Sequence, residues 1–257
     1  MSIQQPHVIR SASGLLLTAS AALFAACGGG GGGGGSGASS MSTVALAGTA
    51  ATGKALANAT ININCAQGSI SVGADVNGNY RATLHAVMPC MITATSSGTV
   101  LHSVAFAGGT YNVTPETDLL LSYVAAQLGM NETGLIAGFP ASTLFQQTLA
   151  NQNDLLTAQA AVVQNIQQTY GVSLSTPNFL TTSFSVGQPG VDSDLEALFA
   201  RGAIDANGEP DATAVALMTT MGAAHPITVS PGAGAGAGTG SGGTGGTGSP
   251  GGIGGMM

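Results

Sequence analysis

Three cysteines are the residues of this 257-residue chain best suited to covalent chemistry. Cys27 follows an apolar run over 14–24 and two alanines, and Arg10 lies ahead of that run. The run is too short to cross a bilayer core of roughly 30 Å as a helix. A charged start, a short apolar stretch and small residues together indicate an export signal. Cleavage before Cys27 would place its thiol at a new N-terminus, where it could carry acyl chains.

The segment Leu23-Phe24-Ala25-Ala26-Cys27 resembles the lipobox of bacterial lipoproteins, with Phe24 at the usual leucine position. The resemblance implies acylation of Cys27 and a membrane partner reached through that lipid anchor. Gly28, where an aspartate would favour the inner membrane, implies an outer-membrane lipoprotein facing the periplasm or the cell surface. The alternative is an ordinary secretory signal that is cut near Ala26 and leaves Cys27 unmodified.

The other two cysteines, Cys65 and Cys90, form an isolated pair. Exported proteins meet an oxidising compartment, where such a pair most often forms a disulfide. Closing a loop of this size stabilises a protein by about 3–4 kcal/mol in the chain-entropy model. Metal ligation and a redox pair are the alternatives, but the spacing and partner residues that they require are missing from the sequence. We therefore predict a disulfide between Cys65 and Cys90.

Histidines are the remaining candidates for chemistry, and three follow the predicted signal: His85, His102 and His225. His85 and His102 lie on separate predicted strands and, with Asp118, could form a two-histidine metal site. Half-exposed strand histidines more often only form hydrogen bonds. The chain has no Gly-x-Ser-x-Gly, phosphate-loop or His-Glu-x-x-His motif. We therefore predict no catalytic residue, no metal ligand and no cofactor, and expect that the chain is not an enzyme.

The charge of the chain is low and acidic. Only 6% of residues are charged, and the formal net charge is −7 at pH 7. Nucleic-acid binding requires a basic surface. This composition therefore argues against a nucleic-acid partner and leaves a protein or glycan partner open.

Residues 43–113 show the period-two alternation of short strands. The alternating apolar positions are Val44, Leu46, Ile61, Ile63, Cys65, Ile70, Val72, Tyr80, Ala82, Leu84, Cys90, Ile92 and Ala94, followed by a run over 100–106. Asn77-Gly78 is a strong turn signal between two of these runs. About six short strands separated by turns predict a small antiparallel β-sandwich.

Two segments of this region resemble the signatures of carboxypeptidase regulatory-like domains. Residues 48–61, Gly-Thr-Ala-Ala-Thr-Gly-Lys-Ala-Leu-Ala-Asn-Ala-Thr-Ile, resemble the family's opening, with Ala55 and Asn58 at its usual proline and glycine positions. Residues 75–80, Asp-Val-Asn-Gly-Asn-Tyr, resemble its Asp-x-x-Gly-x-Tyr signature. The resemblance implies a transthyretin-like sandwich that is accessory or adhesive and lacks catalysis of its own. A calcium loop beginning at Asp75 is the alternative to a simple turn, but Ala86 stands where that loop needs a carboxylate.

Helical signals dominate residues 114–225. Thr114 and Pro115 predict the start of a helix that ends near Gly129, and an apolar stripe over 155–170, interrupted by Gln159, predicts a second one that ends at Gly171. A short segment over 131–138 follows the first helix, and shorter helices are predicted from Ser142, Val191 and Asp211. Two acidic groupings, Glu116 with Asp118 and Asp192 with Asp194 and Glu196, are interpreted as charges that favour helix N-termini.

The sequence therefore predicts an α+β protein with five parts: a lipoprotein signal peptide (1–26), a Gly/Ser-rich tether (27–42), the β-sandwich (43–113), a helical domain (114–225) and a disordered Gly-rich tail (226–257). The layout also resembles a group of proteobacterial lipoproteins. The predicted function is a lipid-anchored cell-envelope protein with a non-catalytic binding or structural role. A periplasmic ligand-binding lipoprotein that takes a glycan or a peptide is the first alternative, and a hydrolase with a dispersed site is the second.

Overall fold

The computed structural model describes residues 41–227, which form six strands followed by six helices. The strands are β1 (Ser42–Thr49), β2 (Thr60–Gln67), β3 (Ser69–Gly73), β4 (Asn79–Ser96), β5 (Thr99–Ala105) and β6 (Gly109–Thr110). The helices are α1 (Pro115–Gln127), α2 (Glu132–Gly138), α3 (Thr143–Ala150), α4 (Gln152–Tyr170), α5 (Val191–Ala200) and α6 (Ala212–Ala223). This order is that of an α+β protein, as predicted.

The predicted signal peptide and Cys27 lie outside the described residues. So do all but the last two residues of the predicted tether and all but the first two of the predicted tail. Across 41–227, none of the helices combines the length and the apolar character needed to span a bilayer.

The sheet is organised around β4, an 18-residue strand. The first half of β4 pairs with β1, and its second half pairs with β2 on one side and β5 on the other. The sequence predicted two separate strands here, with Tyr80 in one and Cys90 in the other. They are one strand because backbone pairing continues along its whole length, with β1 as far as Ala86 and with β2 from Val87 onward. Pro89 is accommodated where the β2–β4 register shifts, opposite the step from Cys65 to Gln67.

The sheet is mixed rather than purely antiparallel. Its strands lie in the order β3-β2-β4-β1-β6, with β5 paired to β4, and β6 runs parallel to β1. The chain continues beside β1 after β6, since Tyr111 N donates to Ala47 O and Val113 N donates to Thr49 O. This parallel segment delivers the chain directly to Thr114, the N-cap of α1.

Helix α1 is the centre of the helical part. Every residue from Pro115 to Ala126 is buried, and α1 packs against β5, α2, α4 and α6. A helix that is buried on all sides is apolar on all sides as a rule, yet the first turn of α1 contains Glu116 and Asp118. The same continuous core includes apolar side chains from the strands and from the helices. Two buried carboxylic acids therefore lie in the first turn of α1.

Local sequence signals place the other helices as expected. Helix α4 ends at Gly171, whose φ of 67° is the left-handed conformation that glycine adopts without strain. Gln159, which interrupts the predicted apolar stripe, is buried, and its side-chain oxygen accepts from Leu180 N at 3.2 Å. Asn131, Ser142 and Asp211 are the N-caps of α2, α3 and α6, and the last two lie where the sequence predicted that helices begin.

The disulfide between Cys65 and Cys90 is present. The two residues face each other directly on the antiparallel strands β2 and β4. Both side chains point into the core, Cys90 being fully buried. The crosslink therefore fixes the pairing of β2 with the central strand.

Candidate functional site

Three side chains that can ligate metal ions or transfer protons meet where the sheet joins the helices: His102, Asp118 and Glu132. His102 lies on β5, Asp118 in the first turn of α1, and Glu132 is the first residue of α2. These three residues are called the triad below. Thr117 fastens α1 to β5 at this point, because its hydroxyl donates to His102 O at 2.7 Å.

The hydrogen bonds of the triad centre on the Nδ1 atom of His102. Asp118 Oδ1 lies 3.0 Å from His102 Nδ1 and also accepts from His102 N at 2.8 Å. Glu132 Oε1 lies 3.4 Å from the same Nδ1 atom. The other oxygen of that carboxyl group, Oε2, accepts from the Ser122 hydroxyl at 2.5 Å. Glu132 Oε1 itself is buried and has no hydrogen-bond partner.

The triad is largely but not completely covered. The side chains of His102, Asp118 and Glu132 are 20%, 9% and 18% exposed. Burial opposes a positive charge on His102, but the hydrogen bond to Asp118 and the nearby Glu132 carboxyl group outweigh it and raise the pKa of the imidazole to about 9. Burial, followed by the nearby Glu132 carboxylate, raises the pKa of Asp118 well above its usual range. Two carboxyl groups and one imidazole are thus held at close range in a largely buried site.

The structure brings together two of the residues that the sequence singled out and separates the third. His102 and Asp118 are in contact. His85 lies on β4 with an exposed side chain, and its Nδ1 atom is 3.3 Å from the Thr43 hydroxyl. Sequence reasoning missed Glu132. The available signal was the short connection from Leu128 to Asn131, which makes α2 fold back beside α1 so that Glu132 reaches Ser122.

The other acidic groupings do more than favour helix N-termini. Asp192 and Asp194 lie in the first turn of α5 as predicted, but their carboxylates accept from Gly187 N and from Ser175 N and Oγ. They therefore fasten the preceding loop to α5. Glu116 is fully buried and neither of its carboxyl oxygens has a hydrogen-bond partner. Burial, with a smaller contribution from the charge of Asp194, raises the pKa of Glu116 to about 8.

Asp75 forms a turn. Its Oδ1 atom accepts from Asn77 N and Asn79 N, both at 2.8 Å. Asp205 repeats this arrangement, because its Oδ1 atom accepts from Asn207 N and Glu209 N at 2.9 Å. The backbone N–H groups of each loop thus use the aspartate as an internal acceptor.

A cleft of about 460 Å³ opens between the turns of the sheet and the helical part. Its lining comprises Thr52, Gly53, Lys54, Ala55, Leu56, Ala57, Ser96, Ser97, Thr99, Glu196, Phe199, Ala206, Asn207 and Gly208. Phe199 is 54% exposed. The walls are held together because the Thr99 hydroxyl donates to Asn207 O at 2.7 Å and Val100 N donates to Glu209 Oε1 at 2.8 Å. The cleft is therefore a built feature of the fold and presents an aromatic side chain to solvent.

A second cleft, of about 380 Å³, lies beside β1 and β4 and is lined in part by Asp75, Arg81 and Phe184. The residues of the triad line neither of these two clefts. Comparison with protein-family models, with curated proteins and with solved structures finds no match to this chain.

Proposed function

We propose that this chain is an exported, lipid-anchored envelope protein that binds a ligand without transforming it, and that the cleft around Phe199 is its binding site. The observation that carries the proposal is this cleft, which has walls of mixed polar and apolar residues and an aromatic side chain left in solvent. Large apolar side chains exposed at a concave surface favour a binding role. We propose that the anchor is a lipid on Cys27, on the strength of the motif that precedes it.

The chemistry of the cleft favours a neutral glycan. Hydroxyl and amide side chains line it, including Thr52, Ser96 and Asn207, with Lys54 and Glu196 as charges of opposite sign. Such groups form hydrogen bonds with sugar hydroxyls, while an exposed aromatic ring packs against the apolar face of a sugar. An extended peptide would instead be expected to add to a free strand edge. The walls here are turns and one helix, so a glycan fits the cleft better than an extended peptide.

Two features support the cellular setting of the proposal. The Cys65–Cys90 disulfide is of the kind that persists in oxidising compartments. The net charge of −7 makes a nucleic-acid partner unfavourable. We propose the outer membrane, facing the periplasm or the surface, as the location.

We further propose that the strands form a transthyretin-like sandwich of the carboxypeptidase regulatory-like kind, an accessory fold without catalysis of its own. The pairing of β4 supports two layers, because its first half belongs to the ladder with β1 and its second half to the ladders with β2 and β5. Strands that pass from one sheet to the other in this way form the corners of packed sheets.

The anchoring part of the proposal is tested by metabolic labelling with an alkyne-tagged palmitate. We expect the exported chain to incorporate the label and to fractionate with the outer membrane, and Cys27→Ser to abolish both. A matched Cys65→Ser, Cys90→Ser double variant should retain the label. Incorporation that survives Cys27→Ser would contradict anchoring through this residue.

The binding part is tested by titration calorimetry with chitotetraose, maltohexaose and, as the peptide arm, tetra-alanine. We expect one of the glycans to bind at a single site, and Phe199→Ala to weaken its binding roughly three- to tenfold through loss of aromatic contact. Val76→Ala, which alters a side chain 68% exposed outside the cleft, is the matched control. The glycan assignment is contradicted if neither glycan binds, or if Phe199→Ala and Val76→Ala bind the glycan equally well. Binding of the peptide alone would favour a peptide ligand.

The convergence of two carboxyl groups beside His102 is the observation that favours a hydrolase as the second candidate. Against it, the triad residues line neither cleft, so a substrate bound beside Phe199 would not touch them. Mass spectrometry after the titrations distinguishes the two functions. We expect intact glycans, and cleavage that disappears in Asp118→Asn would favour the hydrolase.

A further inference from the structure

We propose that the triad is a binding site for a first-row divalent cation, with His102 Nδ1, Asp118 and Glu132 as its ligands. This site is separate from the cleft around Phe199 and does not depend on the glycan proposal. One ligand atom from each of the three residues lies within 4.8 Å of the others. The three residues come from β5, α1 and α2, so an ion would connect the sheet to two helices.

The spacing of the ligand atoms suits an ion without rearrangement of the backbone. Ligand atoms held about 2.0–2.2 Å from a tetrahedral zinc ion lie about 3.3–3.6 Å from one another. His102 Nδ1 lies 3.0 Å from Asp118 Oδ1 and 3.4 Å from Glu132 Oε1. Both distances are close to those around such an ion, and the ligand atoms of Asp118 and Glu132 lie within 4.8 Å of each other.

One oxygen of the triad is left without a partner and faces its centre. Glu132 Oε1 is buried and accepts no hydrogen bond, although it lies 3.4 Å from His102 Nδ1. Buried polar atoms are nearly always satisfied, so an unsatisfied one needs an explanation. A cation bound between the three side chains would satisfy this oxygen.

The surroundings supply the outer contacts that metal sites use. Ser122 donates to the remaining oxygen of Glu132, and His102 N donates to Asp118, which orients both carboxyl groups. Such contacts position ligands and strengthen binding. The partial exposure of His102 and Glu132 leaves room for water to complete the coordination.

The ligand set selects the class of cation. An imidazole nitrogen with two carboxylates suits zinc, manganese or iron(II) better than calcium or magnesium, which prefer oxygen alone. Two ionised carboxylates also balance the charge of a divalent ion. Zinc is the probe of choice because it is redox-inactive.

Titration calorimetry of the exported chain with Zn²⁺, carried out on a Cys27→Ser background, tests the proposal. That background removes the thiol outside the described residues and leaves the disulfide in place. We expect one zinc ion per chain, and we expect Glu132→Gln and His102→Gln each to raise the Kd at least about tenfold. His85→Gln, which alters an exposed histidine outside the triad, should leave the Kd unchanged. Added zinc should also raise the Tm of the protein with an intact triad, and it should not raise the Tm of the two triad variants.

Co²⁺ spectroscopy is a second test of the site in case one triad variant folds poorly. Visible absorption of the Co²⁺-loaded protein should be lost in Glu132→Gln while its far-UV circular dichroism stays that of the parent. If Glu132→Gln is unfolded, His102→Gln provides the comparison. The proposal is overturned if zinc does not bind one to one. It is also overturned if binding survives both triad substitutions.

Discussion

Asp118 accepts two hydrogen bonds from a single residue, His102: one from the backbone N–H at 2.8 Å and one from the ring Nδ1 at 3.0 Å. The first fixes the start of α1 against β5, and the second holds the imidazole in place. Since the Asp118 side chain is 9% exposed, its loss would leave both donors without an acceptor. This residue therefore contributes to the fold independently of any ion.

Replacement of Asp118 by alanine is expected to lower the free energy of unfolding by about 3 kcal/mol in the absence of metal, because it leaves two donors of His102 without their acceptor in a largely buried site. Asp118→Asn keeps an acceptor oxygen and should cost less. Urea denaturation at pH 7 in the presence of a chelator measures both. Glu196→Ala, at an exposed acid, should change stability by no more than about 0.5 kcal/mol, and equal effects of the two alanine variants would contradict the expectation.

Glu116 is expected to make stability decrease between pH 5 and pH 8. Its ordinary pKa of 4.5 is raised to about 8 by burial first and by the Asp194 charge second. The folded state therefore favours the protonated form. The stability that the protein has with Glu116 protonated is fully present below about pH 4.5. It is lost as the pH rises through about 8, and the free energy of unfolding falls by roughly 1.4 kcal/mol per pH unit.

Glu116→Gln removes this ionisation and keeps the shape of the side chain. Relative to the parent, the variant should gain about 2–4 kcal/mol in free energy of unfolding when the pH is raised from 5 to 8. Urea denaturation at the two pH values measures the gain. Glu196→Gln is the exposed control and should show the same pH dependence of stability as the parent. If Glu116→Gln also kept the parent's pH dependence, Glu116 would not be the cause of that dependence.

Gln159 is expected to stabilise the contact between α4 and the segment near Leu180. Gln159→Leu keeps most of the volume but leaves Leu180 N without its acceptor, which should cost about 1–3 kcal/mol. Gln168→Leu, on the exposed face of the same helix, should stay within about 0.5 kcal/mol of the parent. Thermal and urea denaturation of the two variants provide the comparison, and equal stability would refute the role of the buried amide.

The disulfide is expected to contribute about 3–4 kcal/mol, because it closes a sequence separation of 25 residues. The Cys65→Ala, Cys90→Ala double variant should lose this amount in urea denaturation. The same loss should follow when reductant is added to the parent. Intact mass after alkylation, with and without reductant, establishes the bond itself, and two free thiols in the exported protein would exclude it.

The sequence predicted the features that depend on neighbouring residues. Thr114, Pro115 and Gly171 mark helix ends through local backbone preferences, and they do so in the structure. Alternation located the strands and placed Cys65 and Cys90 in the same core-facing phase. These signals act over a few residues, which is why they can be found in a single sequence.

Features that depend on long-range packing were not predictable in the same way. Alternation stays in phase across Pro89, so nothing local shows whether there is one strand or two. The parallel pairing of β6 with β1 depends on the path of the chain into α1. His102 and Asp118 belong to the histidine site that the sequence suggests, but Glu132 joins them only because α2 folds back beside α1.

Helix α6 packs closely on α1. A Cβ atom at Gly222 would lie 2.3 Å from Tyr123 O, so only glycine allows this approach. Helix α1 also packs against β5, so it contacts both the sheet and the other helices. Unfolding should therefore be cooperative, with the strands and helices melting in a single transition. The chain changes from strands to helices near residue 113. A fragment that ended there would expose the face of the sheet that α1 covers, so the protein should not be divided at this residue.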